Sequence, residues 1–225
     1  MKLDNETLEV LKNFSTINSN IVINVGNKLR TISEAKNILA SYDSAQTFDS
    51  EFGIYDLSEF LSVYSMFDDP DLSFDEDMKY VTFKEGRRSV KYFFSDPSIL
   101  TTSTKDVKMP PTDVTVTLTE DTIASMKKAA AVLRVTDAVI TPDDNGNIVL
   151  TVTDSKNSTA NSFEIVVGEG YEGESFSFVF AISNFKMIPD DYEVSISSKL
   201  ISKFEGSNKG VEYYIALEKT STYGG

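Results

Sequence analysis

The 225-residue sequence contains no cysteine and no histidine. Without cysteine it has neither disulfides nor a thiolate nucleophile, which is compatible with a reducing compartment such as the cytosol. Without histidine it lacks the side chain that enzymes use most often as a general base and as a metal ligand. No apolar run approaches the roughly 18–20 residues that a membrane-spanning helix needs. No apolar segment follows Lys2, so we expect no signal peptide at this start.

Motifs for nucleotide binding and nucleophilic hydrolysis are missing as well. There is no G-x-S-x-G, no P-loop and no G-x-G-x-x-G. Carboxylates between residues 68 and 77 could attract Mg²⁺, although a solvated acidic edge is the better interpretation. Residues 143–147 resemble a calcium loop, but the glycine spacing differs and no glutamate closes it, which favours a polar hairpin turn. We therefore expect no cofactor or bound metal, and a hydrolase built on surface carboxylates is the least favoured function.

The charge balance is strongly acidic, with 35 Asp and Glu residues against 21 Lys and Arg residues and a net charge of −14. An even distribution would argue against nucleic-acid binding, because phosphate contacts depend on Lys and Arg. A few cations gathered on one face of an acidic protein can still bind DNA at that face. The positions of the cations therefore decide the question.

Residues 113–154 indicate how the chain folds. Residues 113–118 alternate and are rich in β-branched side chains, which predicts a strand. Thr119 is the predicted N-cap of a helix, and residues 138–152 are typical of a hairpin with a polar turn. Four apolar residues at helical spacing form the predicted buried stripe of that helix: Ile123, Met126, Ala130 and Leu133.

The first half of the chain repeats this plan. A helix is predicted at about residues 6–15, and a second helix begins after Asp56, which forms a capping box with Glu59. Residues 52–61 align loosely with residues 178–187, where we expect a fourth helix. The pattern predicts an α+β fold of two similar domains, each with two helices on one face of antiparallel sheets.

A change in composition marks the predicted boundary between the halves. Residues 96–112 combine Pro, Ser and Thr and read as a connector. We therefore predict an N-terminal domain at residues 1–108 and a C-terminal domain at residues 109–225. The last five residues, 221–225, read as a loose tail.

Five cations lie on the predicted helices: Lys12, Lys127, Lys128, Arg134 and Lys186. Each alone is typical of a solvated helix surface, and Lys127 and Arg134 flank the apolar stripe closely enough to extend over it. Together they lie on the elements that cover one face of the sheets, which indicates a basic surface for phosphates. No aromatic residues are interleaved with them, so base-specific readout is not indicated.

Several segments, in order and at matching spacing, resemble the sliding clamps of T-even-type phages over the whole chain: LKNFSTINS (11–19), IYDLSEFL (54–61), DPS (96–98), KFEG (203–206) and YIALE (214–218). The resemblance implies a ring of three identical two-domain subunits, with helices lining the hole and sheets forming the outer wall. An ATP-driven clamp loader would close this ring around duplex DNA, where it tethers the replicative DNA polymerase. It further implies a role in late transcription, no catalytic activity, no membrane association, and a location in the cytoplasm of an infected bacterial host.

The resemblance also implies three working surfaces. The five helix cations would face DNA. The subunit contact would join residues 91–94 of one copy to residues 162–166 of the next, through the following side chains: Tyr92, Phe93, Phe94, Phe163 and Ile165. A pocket for short hydrophobic peptides of partner proteins would be built from six residues: Val107, Met109, Pro110, Tyr214, Ala216 and Leu217. Tyr214 and Leu217 are equally compatible with ordinary core positions.

One other function remains open from the sequence alone. An acidic, β-rich phage structural or adaptor protein that assembles through its edge strands would share the composition and the strand pattern. A discrete trimer in solution is expected of the clamp, whereas a monomer or an open polymer is expected of the adaptor.

Overall fold

The chain forms two compact units, Met1–Asp106 and Val107–Gly225, in a computed structural model that describes residues 1–103 and 107–224. The division lies two residues before the predicted boundary. Residues 104–106 of the predicted connector lie outside the described residues. The connector begins with a single 3₁₀ turn at Pro97–Ile99, which is capped by the Asp96 side chain.

The first unit combines two helices with short antiparallel sheets. Its elements follow in chain order: α1 (Asn5–Ile17), β1 (Ile21–Ile23), β2 (Gly26–Ile32), β3 (Ile38–Phe48), β4 (Phe52–Ile54), α2 (Leu57–Tyr64), β5 (Asp71–Phe74), β6 (Tyr80–Glu85) and β7 (Arg88–Phe93). Strand β1 pairs with β4, β2 pairs with β3, and β5, β6 and β7 form a three-stranded meander. Both predicted helices are confirmed.

Local capping fixes where the two helices of the first unit begin. The Asp4 carboxylate accepts a hydrogen bond from the Thr7 amide at 2.6 Å, and Asp56 accepts one from the Glu59 amide at 2.9 Å. Each bond satisfies a backbone donor that the first helical turn leaves without a partner. Buried apolar residues such as Phe14 then pack α1 against β3 and α2. The opposite face of both helices is left to solvent.

Within residues 107–224, the second unit contains one α-helix and two antiparallel sheets. Its described elements are β8 (Val114–Leu118), α3 (Glu120–Leu133), β9 (Asp137–Pro142), β10 (Ile148–Thr153), β11 (Phe163–Gly168), β12 (Phe176–Ala181), β13 (Tyr192–Ser197), β14 (Ile201–Gly206), β15 (Val211–Ala216) and β16 (Thr222–Tyr223). One sheet has the order β11-β10-β9-β12-β16, and the other runs β15-β14-β13-β8. Helix α3 packs against β10 and β11.

Helix α3 forms as the sequence predicts. Thr119 accepts the Thr122 amide hydrogen bond as N-cap, and the predicted stripe faces inward, with Ile123 and Met126 buried. Leu133, the last member of the stripe, is half-buried. Arg134 ends the helix with a left-handed backbone at φ 57°, a conformation that costs a non-glycine residue about 1 kcal/mol.

The predicted fourth helix at about residues 182–187 is wrong. The segment forms only a 3₁₀ turn at Ile182–Asn184. A helix would direct the Ile188 amide to the carbonyl of Asn184, but this amide donates to the Tyr213 hydroxyl at 3.1 Å. The Ile188 carbonyl in turn accepts from the Tyr192 hydroxyl. Bonds with the hydroxyls of Tyr213, 25 residues away, and of Tyr192, four residues away, therefore take the place of helical hydrogen bonds at Ile188, and Lys186 lies on an irregular loop.

The predicted loose tail is wrong as well. Thr222–Tyr223 forms strand β16, which pairs with β12 through Phe176 and Ser177. The Tyr223 ring stacks nearly parallel to Phe178, with ring centroids 6.1 Å apart. The end of the chain is therefore part of the five-stranded sheet.

One buried carboxylate holds the loop that carries Lys186. Asp190 is only 3% exposed and accepts hydrogen bonds from the backbone amides of Asp191, Asn208 and Lys209 and from the Asn208 side chain. Burial alone would raise the pKa of Asp190, but these four donors outweigh it and leave the pKa below its usual value of 3.8.

We expect Asp190→Asn to destabilise the protein by about 3 kcal/mol. The amide accepts fewer hydrogen bonds than the carboxylate, and its NH₂ group would face the N–H groups that donate to Asp190. The stabilisation by Asp190 is complete above about pH 4 and is lost as the pH falls through its lowered folded-state pKa. The difference between wild type and variant should therefore shrink at acidic pH. Urea denaturation at pH 7 and at low pH measures it. Glu172→Gln, in an exposed loop, is the matched control, and an equal effect of both changes would contradict the role of Asp190.

Candidate functional surfaces

The four predicted cations of the second unit lie on α3 or on the loop beside it. Lys128 projects from the exposed side of the helix, opposite the buried stripe, and Arg134 lies exposed at the helix C-terminus, where the helix dipole favours positive charge. Lys127 lines a mostly apolar pocket of about 190 Å³ together with Met187–Pro189. Lys186 is exposed on the loop that enters this pocket. The structure thus brings these four predicted residues to one helix and its adjoining loop.

The pocket also changes the properties of Lys127. Although its side chain is exposed on average, packing at the pocket desolvates the ammonium and lowers the pKa of Lys127. Burial disfavours the charged form of an amine, and a nearby anion would restore it. The apolar stem of this lysine covers the pocket, as its position beside the apolar stripe suggested.

The helical surface of the first unit has the opposite charge. Lys12 is exposed on α1, but Glu6 and Glu9 lie exposed on the same helix and Glu59 on α2. The two helices therefore carry three carboxylates against one ammonium. Within the described helices α1 and α2, Lys12 is the one cation, and Glu6 and Glu9 could already be recognised in the sequence as its neighbours on the same helix.

One sheet in each unit has an edge strand that carries the predicted contact residues or lies beside them. Among residues 1–103, β7 pairs only with β6, and within residues 107–224, β11 pairs only with β10. An edge strand presents unpaired backbone donors and acceptors, which can pair with another chain. The predicted subunit-contact residues lie on or beside these two edges.

Side-chain alternation divides the predicted contact residues of the first edge. Phe93 points outward and is 66% exposed. Tyr92 is buried, with its ring against Phe60 and its hydroxyl donating to the Asp56 carbonyl at 3.2 Å. Phe94 is half-buried, and its ring stacks on Phe52 with centroids 4.6 Å apart. Phe93 is therefore the aromatic side chain that this edge presents to solvent.

The second edge is more exposed. Phe163 is 37% exposed and Ile165 is half-buried. Val166 is 53% exposed and was not among the predicted contact residues. The run of apolar residues at 165–167 was the signal for it, because adjacent positions in a strand face opposite sides and one of them must face away from the core.

The predicted peptide pocket falls entirely within the second unit. Tyr214 and Ala216 lie half-buried on the outer face of β15, whereas Leu217 is 6% exposed and belongs to the core. The connector residues Val107, Met109 and Pro110 are half-buried. These six positions combine partly exposed apolar side chains with one core residue.

Strand β14 adds two neighbours to this surface that sequence reasoning missed. Ile201 pairs with Ala216, and Lys203 pairs with Tyr214. Burial lowers the pKa of Lys203, but ion pairs with Glu212 at 2.8 Å and Glu205 at 3.0 Å outweigh it and raise the pKa to about 12. The β-branched and aromatic residues in 201–205 and 211–216 were a signal for two strands, and their antiparallel pairing could have located both residues.

The acidic segments show no arrangement for a metal. Asp143 accepts hydrogen bonds from the Asn145 and Asn147 amides and from the Asn147 side chain, which confirms the polar hairpin turn. Lys79 pairs with Asp77 at 2.7 Å in the other segment. Within the described residues, no three His, Cys, Asp or Glu side chains gather as a metal site would require. No helix in this part of the chain has the length and apolarity to cross a membrane.

Two family models cover most of the chain. The model described as "DNA polymerase processivity factor" matches residues 3–102, and the model described as "gp45 sliding clamp, C terminal" matches residues 115–219. Each match falls within one of the two compact units.

Sequence relatives and solved structures agree with these matches. The sliding clamp of Vibrio phage KVP40 is 33% identical over 97% of this chain and 99% of its own length, and that of Enterobacteria phage T4 is 29% identical over 99% of both. The fold is similar to A. fulgidus PCNA bound to the C-terminal region of FEN-1, with a TM-score of 0.69, 15% identity and 98% coverage of each chain. Entamoeba histolytica PCNA gives a TM-score of 0.65 at 14% identity, with 94% of each chain covered.

These similarities exclude the structural or adaptor protein that the sequence alone left open. They also confirm the predicted fold class, since the solved neighbours share the two-domain α+β architecture. The chain belongs to the family of phage sliding clamps, the DNA polymerase processivity factors, which act in DNA replication and have no catalytic activity of their own.

Proposed function

We propose that three copies of this chain close a ring around duplex DNA and hold the replicative DNA polymerase on its template. The observation that carries the proposal is the pair of edge strands, β7 in one compact unit and β11 in the other. Because the two edges differ, their pairing joins copies head to tail, and such contacts generate a closed ring when the rotation permits. The two clamp domains would be residues 1–108 and 109–225.

The subunit contact in this proposal uses the exposed aromatic and aliphatic side chains of the two edges. Phe93 of one copy would pack on the outward face beside Val166 of the next, whereas Phe163 and Ile165 would pack on the opposite, apolar face. The backbone of both edges would complete its hydrogen bonds. Tyr92 and Phe94 would support this contact from the core of the first unit. The apolar exposure of both edges supports the proposal, since isolated units would leave it in water.

The DNA surface would be formed mainly by the second unit. Lys127, Lys128, Arg134 and Lys186 would contact phosphates, directly or through water, and Lys12 would contribute less because carboxylates surround it. Contacts of this kind carry no sequence information. A ring that is linked to DNA by topology needs only weak contacts, so the acidic net charge and the small number of cations suit sliding.

Partner proteins would bind the outer face of the second unit. Short hydrophobic peptides of the polymerase, of an ATP-driven clamp loader and of late-transcription factors would bind beside Tyr214 and Ala216. The connector residues Val107, Met109 and Pro110 would form the other wall, and Leu217 would form the floor. The protein would act in the cytoplasm of the infected bacterial host.

Ala216→Asp is expected to reduce polymerase stimulation at least tenfold. The new carboxylate would lie among half-buried side chains that a peptide must desolvate, and burying an unpaired charge is costly. Primer extension with the cognate polymerase, loader and ATP measures the effect. Thr115→Asp, on an exposed position of β8, is the control. Full stimulation by Ala216→Asp would contradict the proposed peptide surface.

Two measurements test the proposed function as a whole. Light scattering should give a mass close to three chains of 25.0 kDa, and a strict monomer or an open polymer would contradict the ring. Synthesis on primed DNA with polymerase, loader and ATP should become processive when the protein is added. No gain in product length would contradict the proposal.

A further inference from the structure

The outward face of β7 carries an ordered cation beside an aromatic pair. Lys91 lies over the Tyr80 ring, with its ammonium 3.9 Å from the ring centroid. The same ring contacts Phe93, with centroids 5.6 Å apart. A cation held over an aromatic face is fixed in position without losing its charge. Lys91 therefore presents a positive charge at a defined place on the edge.

The outward face of β11 carries the opposite charge. Glu164 is exposed on this face, where its β10 neighbour is Thr151, and Val166 follows two residues later opposite Val149. Within the residues that the structure describes, Glu164 makes no ion pair. The two edges that are proposed to meet thus differ in sign on the same face.

Strand geometry limits how these side chains can meet. The buried face of β7 carries Val90 and Tyr92, and that of β11 carries Ile165 and Val167. A shift of one residue would move every side chain to the other face. Any pairing that keeps both apolar faces on one side of the joined sheet therefore places Lys91 and Glu164 of the next copy on the same outward face, and the register that sets residue 91 across from residue 164 makes them direct neighbours.

We propose that Lys91 and Glu164 form an ion pair between copies and direct β7 to β11 rather than to its own kind. A pairing of β11 with β11 that keeps the apolar faces together would gather the glutamates of both copies on one face, and a pairing of β7 with β7 would gather the lysines in the same way. Like charges across an interface suppress wrong partners. The pair thus favours head-to-tail contact, which closes a ring, over a two-fold dimer. This inference rests on the proposed ring and adds the ion pair that favours the ring over a two-fold dimer.

The pair should also make assembly depend on salt. Both groups are exposed, so mobile ions screen their attraction as the ionic strength rises. The protein concentration at which half of the trimer has dissociated should therefore increase between 50 and 500 mM NaCl. A variant without the pair should lose most of this dependence.

A charge swap tests the proposal. Lys91→Glu and Glu164→Lys are each expected to raise the half-dissociation concentration about tenfold at 50 mM NaCl, because each creates a like-charge contact. The double variant should return to within about twofold of wild type. Lys84→Glu, one strand in from the edge, is the matched control for the change in net charge. Sedimentation velocity over a dilution series measures all five proteins, and thermal melts confirm that they fold.

The outcomes separate this inference from the function on which it rests. A wild-type trimer with weakened single variants and a restored double variant supports the ion pair. A wild-type trimer that neither single variant weakens overturns the ion pair and leaves the proposed ring intact. A double variant as weak as its parents also overturns it. A wild-type protein that never forms a trimer overturns both.

Discussion

Reversing two charges on α3, with Lys127→Glu and Lys128→Glu together, is expected to lower loading and retention on DNA at least tenfold. Three copies place six such changes in one ring, and each lost phosphate contact removes a counterion-release contribution. Lys12→Glu should lower retention by less than about threefold. Its helix and α2 already carry Glu6, Glu9 and Glu59 against that single lysine, so little favourable potential remains there to lose.

Retention on primed circular DNA at several salt concentrations separates these effects. The slope of the logarithm of retained protein against the logarithm of salt concentration should fall for the α3 variant and stay nearly unchanged for Lys12→Glu. Lys199→Glu with Lys219→Glu changes the net charge equally at exposed positions outside the helices and serves as the control. Both α3 and control variants should remain trimers. An equal loss for Lys12→Glu and the α3 variant would contradict the assignment of the DNA surface to the second unit.

The second large effect is expected at the subunit contact. Phe93→Asp should convert the trimer to monomer at micromolar concentration and abolish processive synthesis. The proposed contact would bury the Phe93 ring against the next copy. A carboxylate in its place would lie desolvated and unpaired, at a cost of about 3 kcal/mol per contact, or roughly a hundredfold in affinity. Because Phe93 is 66% exposed in the isolated chain, the fold should tolerate the change. Mass measurement and primer extension on the same sample check both parts.

Val25→Asp is the matched control for this variant. Val25 is 68% exposed in the first unit but lies off the β7 edge. It should remain a trimer with full activity. A trimeric Phe93→Asp protein, or a monomer that still supports processive synthesis, would contradict the proposed contact.

Local signals in the sequence predicted what local interactions determine. The caps at Asp56 and Thr119 and the hairpin turn at Asp143 each depend on hydrogen bonds within four residues. The donors and acceptors of such bonds are close together in the sequence, so the helices α1 to α3 and most strands could be located. The same periodicity placed Ile123 and Met126 in the core.

Distant contacts explain the failures. The Tyr213 hydroxyl, 25 positions along the chain, takes the Ile188 amide out of helical bonding, and pairing with Phe176 orders Tyr223. Neither partner can be identified from the residues around the segment itself. Helical spacing also placed Lys12 on the exposed face of α1, but only the folded unit shows that acidic residues dominate that surface.

The contact residues show a third limit. The order of the strands determines which residues lie on an edge strand. The register determines which of their side chains point away from the core. Alternation of Val90 and Tyr92 with Lys91 and Phe93 distinguishes the buried from the exposed set. The resemblance to phage clamps suggested where the proposed contact lies, and the structure shows which side chains of the two edge strands are exposed. Burial of Tyr92 and exposure of Val166 were both missed for this reason.

The most direct test of the ring is to load the protein on closed circular DNA and then to cut that DNA once. The protein is expected to stay bound to the circle, to be released within seconds to minutes of cutting, and to be retained again when both ends are blocked by a bulky protein. Release requires only sliding, because weak phosphate contacts do not hold the ring in place. Equal dissociation from circular, cut and end-blocked DNA would contradict a topological link and with it the proposal that the protein forms a closed ring around DNA.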